Sequence, residues 1–265
     1  MRVKINPSNK NSIWVWTRDM KKVPFSTLKK NGIKNIFIHE NTVYVSGFKS
    51  WLKKVNKKGL KVHIWMLVFF KNGEFINPIN KNGNIKKSLF KSNVKRARKY
   101  ARIKGVSGVH FDYIRFPGTA YKYKKGVYAV NLMTKQLSKA VKKAKRNAMV
   151  SAAVMPESIY SDKYYYGQDI KAMSKYIDVF CPMIYSHSYG QSSKWIQFQT
   201  KSFKKAMGGN AQIWTGLQTY GATGKRLSNK ALTADIKYAL KGGAVGITFF
   251  RFGLFNQVNM NKITV

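Results

Sequence analysis

Acidic residues are scarce in this 265-residue sequence, which has nine Asp and Glu against 50 Lys and Arg and a formal net charge of +41. Lysine accounts for 41 of the 50 basic residues. Nine acids can offset little of this charge through surface ion pairs, so the chain repels itself and attracts polyanions at long range. Two interpretations remain open: a solvated coat that aids solubility, and residence beside an acidic wall polymer, an anionic membrane surface or nucleic acid.

Cysteine and long apolar runs are also rare. Cys181 is the only cysteine, which excludes an internal disulfide and leaves the redox compartment undetermined. No run approaches the roughly 18 apolar residues that a membrane span requires. The N-terminal stretch, MRVKINPSNKNS, lacks the apolar core of a signal peptide. We therefore expect no membrane span, and either a cytoplasmic protein or one whose export signal is not in this sequence.

Several kinds of catalytic and binding motif are missing as well. There is no Gly-x-Ser-x-Gly, and Cys181 falls in an apolar run, so neither a Ser nor a Cys nucleophile is supported. The four histidines show no metal-ligand spacing, and we predict no metal and no cofactor. A cation held by His110, Asp112 and His39 is the open alternative. No specific nucleic-acid module is recognisable.

What the sequence does contain is a hydrophobic share of 44% with 16 Phe, 15 Tyr and 6 Trp, enough for a large core. Apolar, β-rich runs alternate with basic helical segments, and nearly continuous apolar runs are typical of parallel strands buried on both faces. The predicted strands are Ile13–Trp16, Asn35–Ile38, Val62–Phe69, Val109–Ile114, Val150–Met155, Val179–Tyr185, Gln212–Leu217 and Val245–Phe250.

Eight strands alternating with helices predict an α/β fold, a single (β/α)₈ TIM barrel that spans residues 1–265 as one domain. A doubly wound open sheet is the alternative. It is disfavoured because no Gly-rich phosphate loop follows the first strand.

In such a barrel the chemistry lies at the C-terminal ends of the strands. Asp112 ends the otherwise apolar fourth strand, where a carboxylate costs folding energy unless it is hydrogen-bonded or paired. Period-two alternation puts His110 on the same face, one layer deeper. The purely structural alternative is that Asp112 anchors the following loop through Arg115.

The segment around Asp112 carries a resemblance. Gly108–Pro117, with the sequence GVHFDYIRFP, resembles the signature of a group of glycoside hydrolases known mostly from uncharacterised bacterial and archaeal families. That group is related to the hydrolase domain that cuts poly-β-1,6-N-acetylglucosamine. The likeness continues in VSAAVMP at 150–156, YIDVFCPMIY at 176–185 and GGAVGITFF at 242–250. The resemblance implies a barrel that hydrolyses a β-linked amino-sugar or related polysaccharide, with Asp112 in the site.

Glycoside hydrolysis usually needs a second carboxyl as base or nucleophile. Strands seven and eight end in Gln218 and Arg251, so a nucleophile on strand seven is absent. Glu157, just past strand five, is the nearest acid by strand order, and we predict Asp112 and Glu157 as the catalytic residues, with Glu40 as the alternative partner. A third route uses the substrate's own N-acetyl group as nucleophile and needs only a donor and an orienting residue.

Polar and aromatic side chains near the strand ends suit sugar rings, which stack on aromatic faces while amides and hydroxyls hold their OH groups. Core packing is the alternative for each aromatic. The predicted substrate-binding residues are His110, Arg115, Glu40, Trp65, Tyr185, His187, Gln218, Tyr220 and Arg251.

The charge favours an anionic cell-wall polysaccharide as substrate and partner, since lysine would hold uronic-acid or teichoic polymers at long range. Methanogen pseudomurein, which contains an acidic amino sugar, fits both the charge and the archaeal members of the group. An extracellular or cell-wall-associated monomer is then expected. The alternatives are a carbohydrate-binding barrel without catalysis and a polyanion binder for which the barrel is only a scaffold.

Overall fold

The eight apolar runs form eight parallel strands. The computed structural model describes residues 10–256 and 258–263. The strands are β1 Ser12–Val15, β2 Asn35–His39, β3 Lys61–Leu67, β4 Val106–Asp112, β5 Met149–Val154, β6 Val179–Pro182, β7 Gln212–Gln218 and β8 Gly246–Phe250. Each strand pairs in parallel with the next, and β8 pairs with β1, so the sheet closes. The predicted (β/α)₈ barrel is confirmed.

Basic amphipathic helices surround the barrel. They are α1 Phe25–Lys30, α2 Phe48–Lys57, α3 Lys87–Ala101, α4 Gly126–Ala144, α5 Ile170–Met173, α6 Ser193–Met207 and α7 Asn229–Lys241. Shorter elements lie in the connections: 3₁₀ segments at Thr17–Lys22, Glu40–Tyr44, Ala120–Lys122 and Met260–Lys262, a helical turn at Ile159–Ser161, a π-helical turn at Asp162–Tyr166, and a hairpin of Phe70–Lys71 with Glu74–Phe75. Among the described residues, no helix is both long and apolar enough to cross a membrane.

Most strand ends differ from the sequence prediction by one residue or more, and two of these differences matter for the site. β4 ends at Asp112 because Tyr113 takes a left-handed backbone conformation with φ 51°. β6 ends at Pro182, three residues earlier than predicted, and the chain turns there as the Ile184 N–H donates to the Pro182 carbonyl. Tyr185 therefore lies on a loop rather than in a strand.

Alternation along the strands separates two apolar layers. Side chains of one parity, such as Ile13 and Val15, pack outward under the helices. Side chains of the other parity fill the barrel interior: Trp14, Phe37, Trp65, Met149, Ala153, Val179, Cys181 and Trp214. Each large side chain buried in this way stabilises the fold by about 1.5–3 kcal/mol. The interior is therefore a packed core, and chemistry is confined to its open end.

The assignment of residues 1–265 to one domain stays a prediction. The barrel accounts for the described residues, whereas residues 1–9, 257, 264 and 265 lie outside them. The N-terminal stretch that lacks a signal-peptide core falls almost wholly in that part.

Gly108 gives a test of the barrel packing. A Cβ at this position of β4 would lie 2.2 Å from the Met149 carbonyl oxygen of β5 and 2.6 Å from His63 Nδ1. Neither neighbour can move without disturbing the sheet, so Gly108→Ala should lower the free energy of unfolding by about 1–3 kcal/mol or more. Gly221→Ala is the control, because its Cβ would meet nothing closer than 3.8 Å. Equal urea-denaturation midpoints for the two variants would contradict this packing.

Candidate active site

Asp112 is held at the open end of the barrel by two hydrogen bonds. Trp65 Nε1 donates to Oδ2 at 3.0 Å, and the Tyr113 N–H donates to Oδ1 at 2.7 Å. The carboxyl is 6% exposed, and burial raises its pKa while the Tyr113 N–H, Arg115 and Trp65 oppose the rise. Asp112 is therefore oriented and able to hold a proton closer to neutral pH than an exposed carboxyl, which suits a proton donor.

Aromatic side chains lie at neighbouring strand ends and on the loop after β6. Burial raises the pKa of the Tyr185 hydroxyl, and the charge of Asp112 adds to the rise. The Tyr185 ring stacks on Phe250 with centroids 5.5 Å apart. Trp65 is only 2% exposed, so its contact with Asp112 is a hydrogen bond that orients the carboxyl, and its ring offers little surface for a sugar.

An open depression, the cleft, lies over the ends of β1, β2, β7 and β8. Its volume is about 630 Å³, which falls in the range of small-molecule pockets. Two of the predicted binding residues, Tyr220 and Arg251, are in its lining, and Phe250 connects it to the surroundings of Asp112. The lining residues are Trp16, Thr17, Arg18, His39, Asn41, Tyr220, Phe250 and Arg251.

Glu157 lies in a second polar cluster, on the loop after β5. Its Oε1 accepts the hydroxyls of Tyr166 and Tyr189, both at 3.0 Å. Tyr189 in turn stacks on Trp195 of α6, with centroids 5.3 Å apart. The other carboxyl oxygen, Oε2, is buried and has no hydrogen-bond donor. Two phenols thus fix the orientation of Glu157 and leave one oxygen unsatisfied.

Asp162, five residues further along the chain, is a candidate partner for Glu157. Its side chain is fully buried, and neither carboxyl oxygen has a donor. Burial raises the pKa of Asp162, and the adjacent Glu157 carboxyl raises it further. A protonated Asp162 donating to Glu157 Oε2 would satisfy both groups with one proton, as in other pairs of buried carboxyls. Asp162 lies on the π-helical turn five residues after Glu157 and is not among the site residues predicted from the sequence.

Arg115 lies close to residues of both polar clusters. Burial raises the pKa values of Asp112 and of Tyr166, the phenol that donates to Glu157, and the Arg115 charge opposes both rises. No ion pair within 4 Å joins Arg115 to a carboxylate of the described residues, so Asp112 does not anchor its loop in that way. The guanidinium instead lies over the rings of Phe75, Tyr113 and Tyr166, at 4.9, 5.1 and 5.6 Å.

Glu40 has a different environment from the one the sequence suggested. Arg96 Nη1 binds its Oε2 at 3.1 Å, the Tyr100 hydroxyl donates to Oε2 at 2.7 Å, and the Leu67 N–H donates to Oε1 at 2.9 Å. Arg96 and Tyr100 belong to α3. These bonds attach α3 to the ends of β2 and β3 and leave no carboxylate oxygen free for a sugar, so the contacts of Glu40 are structural.

His110 also makes only structural contacts. It is fully buried below Asp112, where Nε2 accepts from Trp14 Nε1 at 3.1 Å and Nδ1 lies 2.9 Å from Ser151 Oγ. Its ring stacks on Phe37 at 4.1 Å. Burial lowers its pKa well below the usual histidine value, so the ring is neutral. A substrate in the cleft has no path to it.

His187 and Gln218 brace the loops around the cleft. His187 Nε2 lies 3.2 Å from Asp235 Oδ2 on α7, and Gln218 Oε1 accepts the Ser188 N–H at 2.9 Å. Gln218 also donates to the Tyr220 carbonyl. Gln218 is 2% exposed. A direct role in sugar binding stays a prediction for both residues. In the described part of the chain, no group of three or more His, Cys, Asp or Glu is arranged to hold a metal ion.

A family profile described as "putative glycosyl hydrolase domain" matches residues 25–208, more than half of the chain. The matched part includes Asp112, Glu157 and Asp162. A search of curated protein sequences finds no match.

Solved structures share the fold across nearly the whole chain. The glycoside hydrolase domain of PgaB (BpsB) from Bordetella bronchiseptica matches with a TM-score of 0.72 and 12% identity, over 93% of this chain and 95% of that one. A GH18 chitinase from Pseudoalteromonas aurantia gives 0.65 and 15%, over 92% and 94%. The spore cortex-lytic enzyme SleL from Bacillus megaterium gives 0.63 and 12%, over 94% and 72%. At these identities the likeness concerns the fold alone.

The Glu157–Asp162 pair predicts a specific dependence of stability on pH. Because the pKa of Asp162 is raised in the folded state, the folded protein keeps a proton that the unfolded chain loses above about pH 3.9. The stabilisation that this proton gives to the folded protein is therefore complete at low pH. It declines as the pH rises toward the pKa of Asp162 in the folded state. Asp162→Asn keeps a donor for Glu157 and removes this decline, so its melting temperature relative to wild type should increase from pH 4.5 to pH 8.

The control for this measurement is Glu74→Gln, which removes the same charge from an exposed hairpin residue. Its melting temperature should follow that of the wild type at both pH values. An Asp162→Asn variant whose difference from wild type stays constant across this range would show that the two carboxyls do not share a proton.

Proposed function

The chain belongs to this family of glycosyl hydrolase domains, and from that premise we propose that it hydrolyses glycosidic bonds in a cell-wall or extracellular polysaccharide. The observation that carries the proposal is Asp112. It is a buried carboxyl with a raised pKa, fixed by two donors at the C-terminal end of a barrel strand. Barrel enzymes place their catalytic groups at that end of the strands.

In the proposed reaction, Asp112 gives its proton to the glycosidic oxygen as the bond from that oxygen to the anomeric carbon breaks. The leaving sugar departs as an alcohol, the oxygen of a water molecule bonds to the anomeric carbon, and the proton that this water loses passes to the base and returns to Asp112. Trp65 is a positioning residue, because its indole N–H bonds the carboxyl oxygen directly. Tyr185, on the loop after β6 with its ring stacked on Phe250, is proposed to supply a hydroxyl and a ring face to the sugar being cleaved.

Glu157 is proposed as the second carboxyl. Donation by Tyr166 and Tyr189 to its Oε1 fixes the orientation of the carboxyl, which a base or nucleophile requires. Arg115 lies over the rings of Tyr113, which follows Asp112, and of Tyr166, which donates to Glu157. If the N-acetyl group of an amino-sugar substrate acts as the nucleophile instead, Glu157 has only a binding role.

The proposed substrate is an anionic polymer that contains amino sugars, as pseudomurein does. The support for it is the net charge of +41, which concentrates polyanions near the surface. A barrel that binds glycans without cutting them is the competing function, and the experiments below separate the two.

Asp112→Asn tests the chemistry. The amide cannot give up a proton, so release of reducing ends from pseudomurein and from β-linked N-acetylglucosamine polymers should fall by about 10²–10⁴-fold. One of the two hydrogen bonds to the side chain is lost, so a small drop in melting temperature is expected as well. Glu74→Gln, on the rim hairpin, changes the net charge equally and should leave turnover unchanged.

Glu157→Gln separates the two routes in the same assay. A loss of kcat comparable to that of Asp112→Asn supports Glu157 as base or nucleophile, and a rise in KM alone supports the N-acetyl route. Full activity in Asp112→Asn would refute the mechanism. A wild-type protein that binds these glycans and cuts none of them would favour the non-catalytic barrel.

The charge predicts a salt-dependent affinity for acidic glycans. Exposed charges are screened over roughly 10 Å at 0.1 M salt, so binding to an acidic polysaccharide should weaken steeply between 0.05 and about 0.5 M salt. Retention on a neutral polysaccharide column should hardly change over the same range. Equal retention on the acidic and the neutral column, independent of salt, would show that the charge is only a solubility coat.

A further inference from the structure

Exposed tyrosines cluster on the rim of the barrel, outside the site described above. Tyr121 and Tyr164 stack with centroids 5.1 Å apart and planes 2° apart, and Tyr160 stacks on Tyr164 at 5.9 Å and 12°. Tyr165 packs edge-on against Tyr164 at 4.9 Å. All four remain well exposed, from 41% for Tyr164 to 73% for Tyr160. Contiguous exposed aromatic surface of this kind marks a binding site more often than isolated exposed rings do.

A basic cavity adjoins these tyrosines. It has a volume of about 830 Å³ and is formed by the loops after β3 and β4. No carboxylate is in its lining, and none of its lysines forms an ion pair within the described chain. Tyr123 and Lys124 line both this cavity and the smaller one beneath the tyrosines, so the two surfaces are continuous. The lysines of the basic cavity are Lys81, Lys86, Lys122, Lys124 and Lys125.

The charges of this cavity are unfavourable in the free protein. Five ammonium groups around one depression repel one another. One of them, that of Lys122, lies 5.9 Å from the centre of the Tyr121 ring. An anionic ligand relieves that repulsion, and the ring faces beside it accept a flat, apolar surface such as the face of a sugar. One polymer with both features satisfies the whole surface: a polysaccharide that carries acidic groups.

The rim surface is connected to the candidate active site through the π-helical turn Asp162–Tyr166. Tyr164 and Tyr165 point outward from this turn into the tyrosine cluster, whereas Tyr166 donates to Glu157 and Asp162 is fully buried. The loops that build the surface follow β3, β4 and β5, at the same end of the barrel as Asp112. A glycan held on the rim therefore lies at the same end of the barrel as Asp112.

We propose that the stacked tyrosines Tyr121, Tyr160 and Tyr164 and the adjoining lysine cavity form an accessory binding site for an acidic polysaccharide chain. The inference rests on the proposed function for its ligand class, and it adds a second place on the protein that grips the polymer. The site holds a segment beyond the one being cleaved and so raises the local concentration of substrate at the cleft.

The test measures affinity for polygalacturonate, with fully methyl-esterified polygalacturonate as the neutral match. Tyr160→Ala/Tyr164→Ala and Lys86→Gln/Lys124→Gln should each weaken binding to the acidic polymer by about tenfold or more. Lys57→Gln/Lys58→Gln, which removes equal charge at the opposite end of the barrel, should change affinity less than about twofold by the same measure. Tyr128→Ala is the aromatic control, because Tyr128 is 57% exposed and lies outside the cluster.

Three results would overturn the site. Unchanged affinity in both rim variants would do so, as would equal losses in the rim and control lysine variants, which would assign binding to the overall charge. Single-stranded poly(U) is the third arm, since stacked rings with lysines also fit unpaired bases. Tighter binding of poly(U) than of polygalacturonate, lost in the rim variants, would make the surface a nucleic-acid site.

Asp112→Asn separates this inference from the proposed function. The variant should bind polygalacturonate with wild-type affinity, because Asp112 lies outside the rim surface. Rim-dependent binding together with a wild-type protein that cuts no glycan would refute the hydrolase and leave the accessory site intact. Normal turnover on short oligosaccharides together with unchanged polymer binding in the rim variants would refute only the accessory site.

Discussion

The hydrogen bond from Trp65 to Asp112 is the interaction on which the candidate site depends. A carboxyl at the end of an apolar strand is costly to bury, and only directed donors make that burial tolerable. Trp65 supplies one donor from the neighbouring strand, and the left-handed turn at Tyr113 supplies the other from the backbone. The same two donors fix the direction in which the carboxyl points. One arrangement thus makes the burial of the carboxyl tolerable and fixes its direction. The packed interior beneath it holds Trp65 in place.

Burial affects the pKa values of Asp112 and Asp162 more than the positive charge of the whole molecule does. A net charge of +41 favours ionised carboxyls and should lower their pKa values, yet the pKa values of Asp112 and Asp162 are both raised. Lysines on the outer helices act through water and are screened, whereas desolvation acts at the carboxyl itself. Asp112 and Asp162 can therefore keep protons on a strongly basic protein. The surface charge remains available for another purpose, long-range attraction of an acidic polymer.

Periodicity and strand order predicted the barrel and the position of Asp112, because both follow from local rules of alternation and from the parallel layout. The same rules could not predict side-chain contacts. Glu40 does follow a strand, but its partners Arg96 and Tyr100 lie on α3, more than 50 residues away, and only the folded structure brings them together. The early end of β6 had a visible local signal in Pro182, which cannot donate to the sheet.

Asp162 shows why the rest of the site was hidden in the sequence. A search that takes strand ends as the place for catalytic acids passes over a loop residue, and nothing in the letters DKYYY indicates that one side chain turns inward. The π-helical turn makes the difference, because it directs Asp162 and Tyr166 toward Glu157 while Tyr164 and Tyr165 face solvent. Five consecutive residues thus serve two surfaces. An insertion or deletion in this turn would disturb the carboxyl pair and the tyrosine cluster together, so the π-helical geometry is a constraint on both.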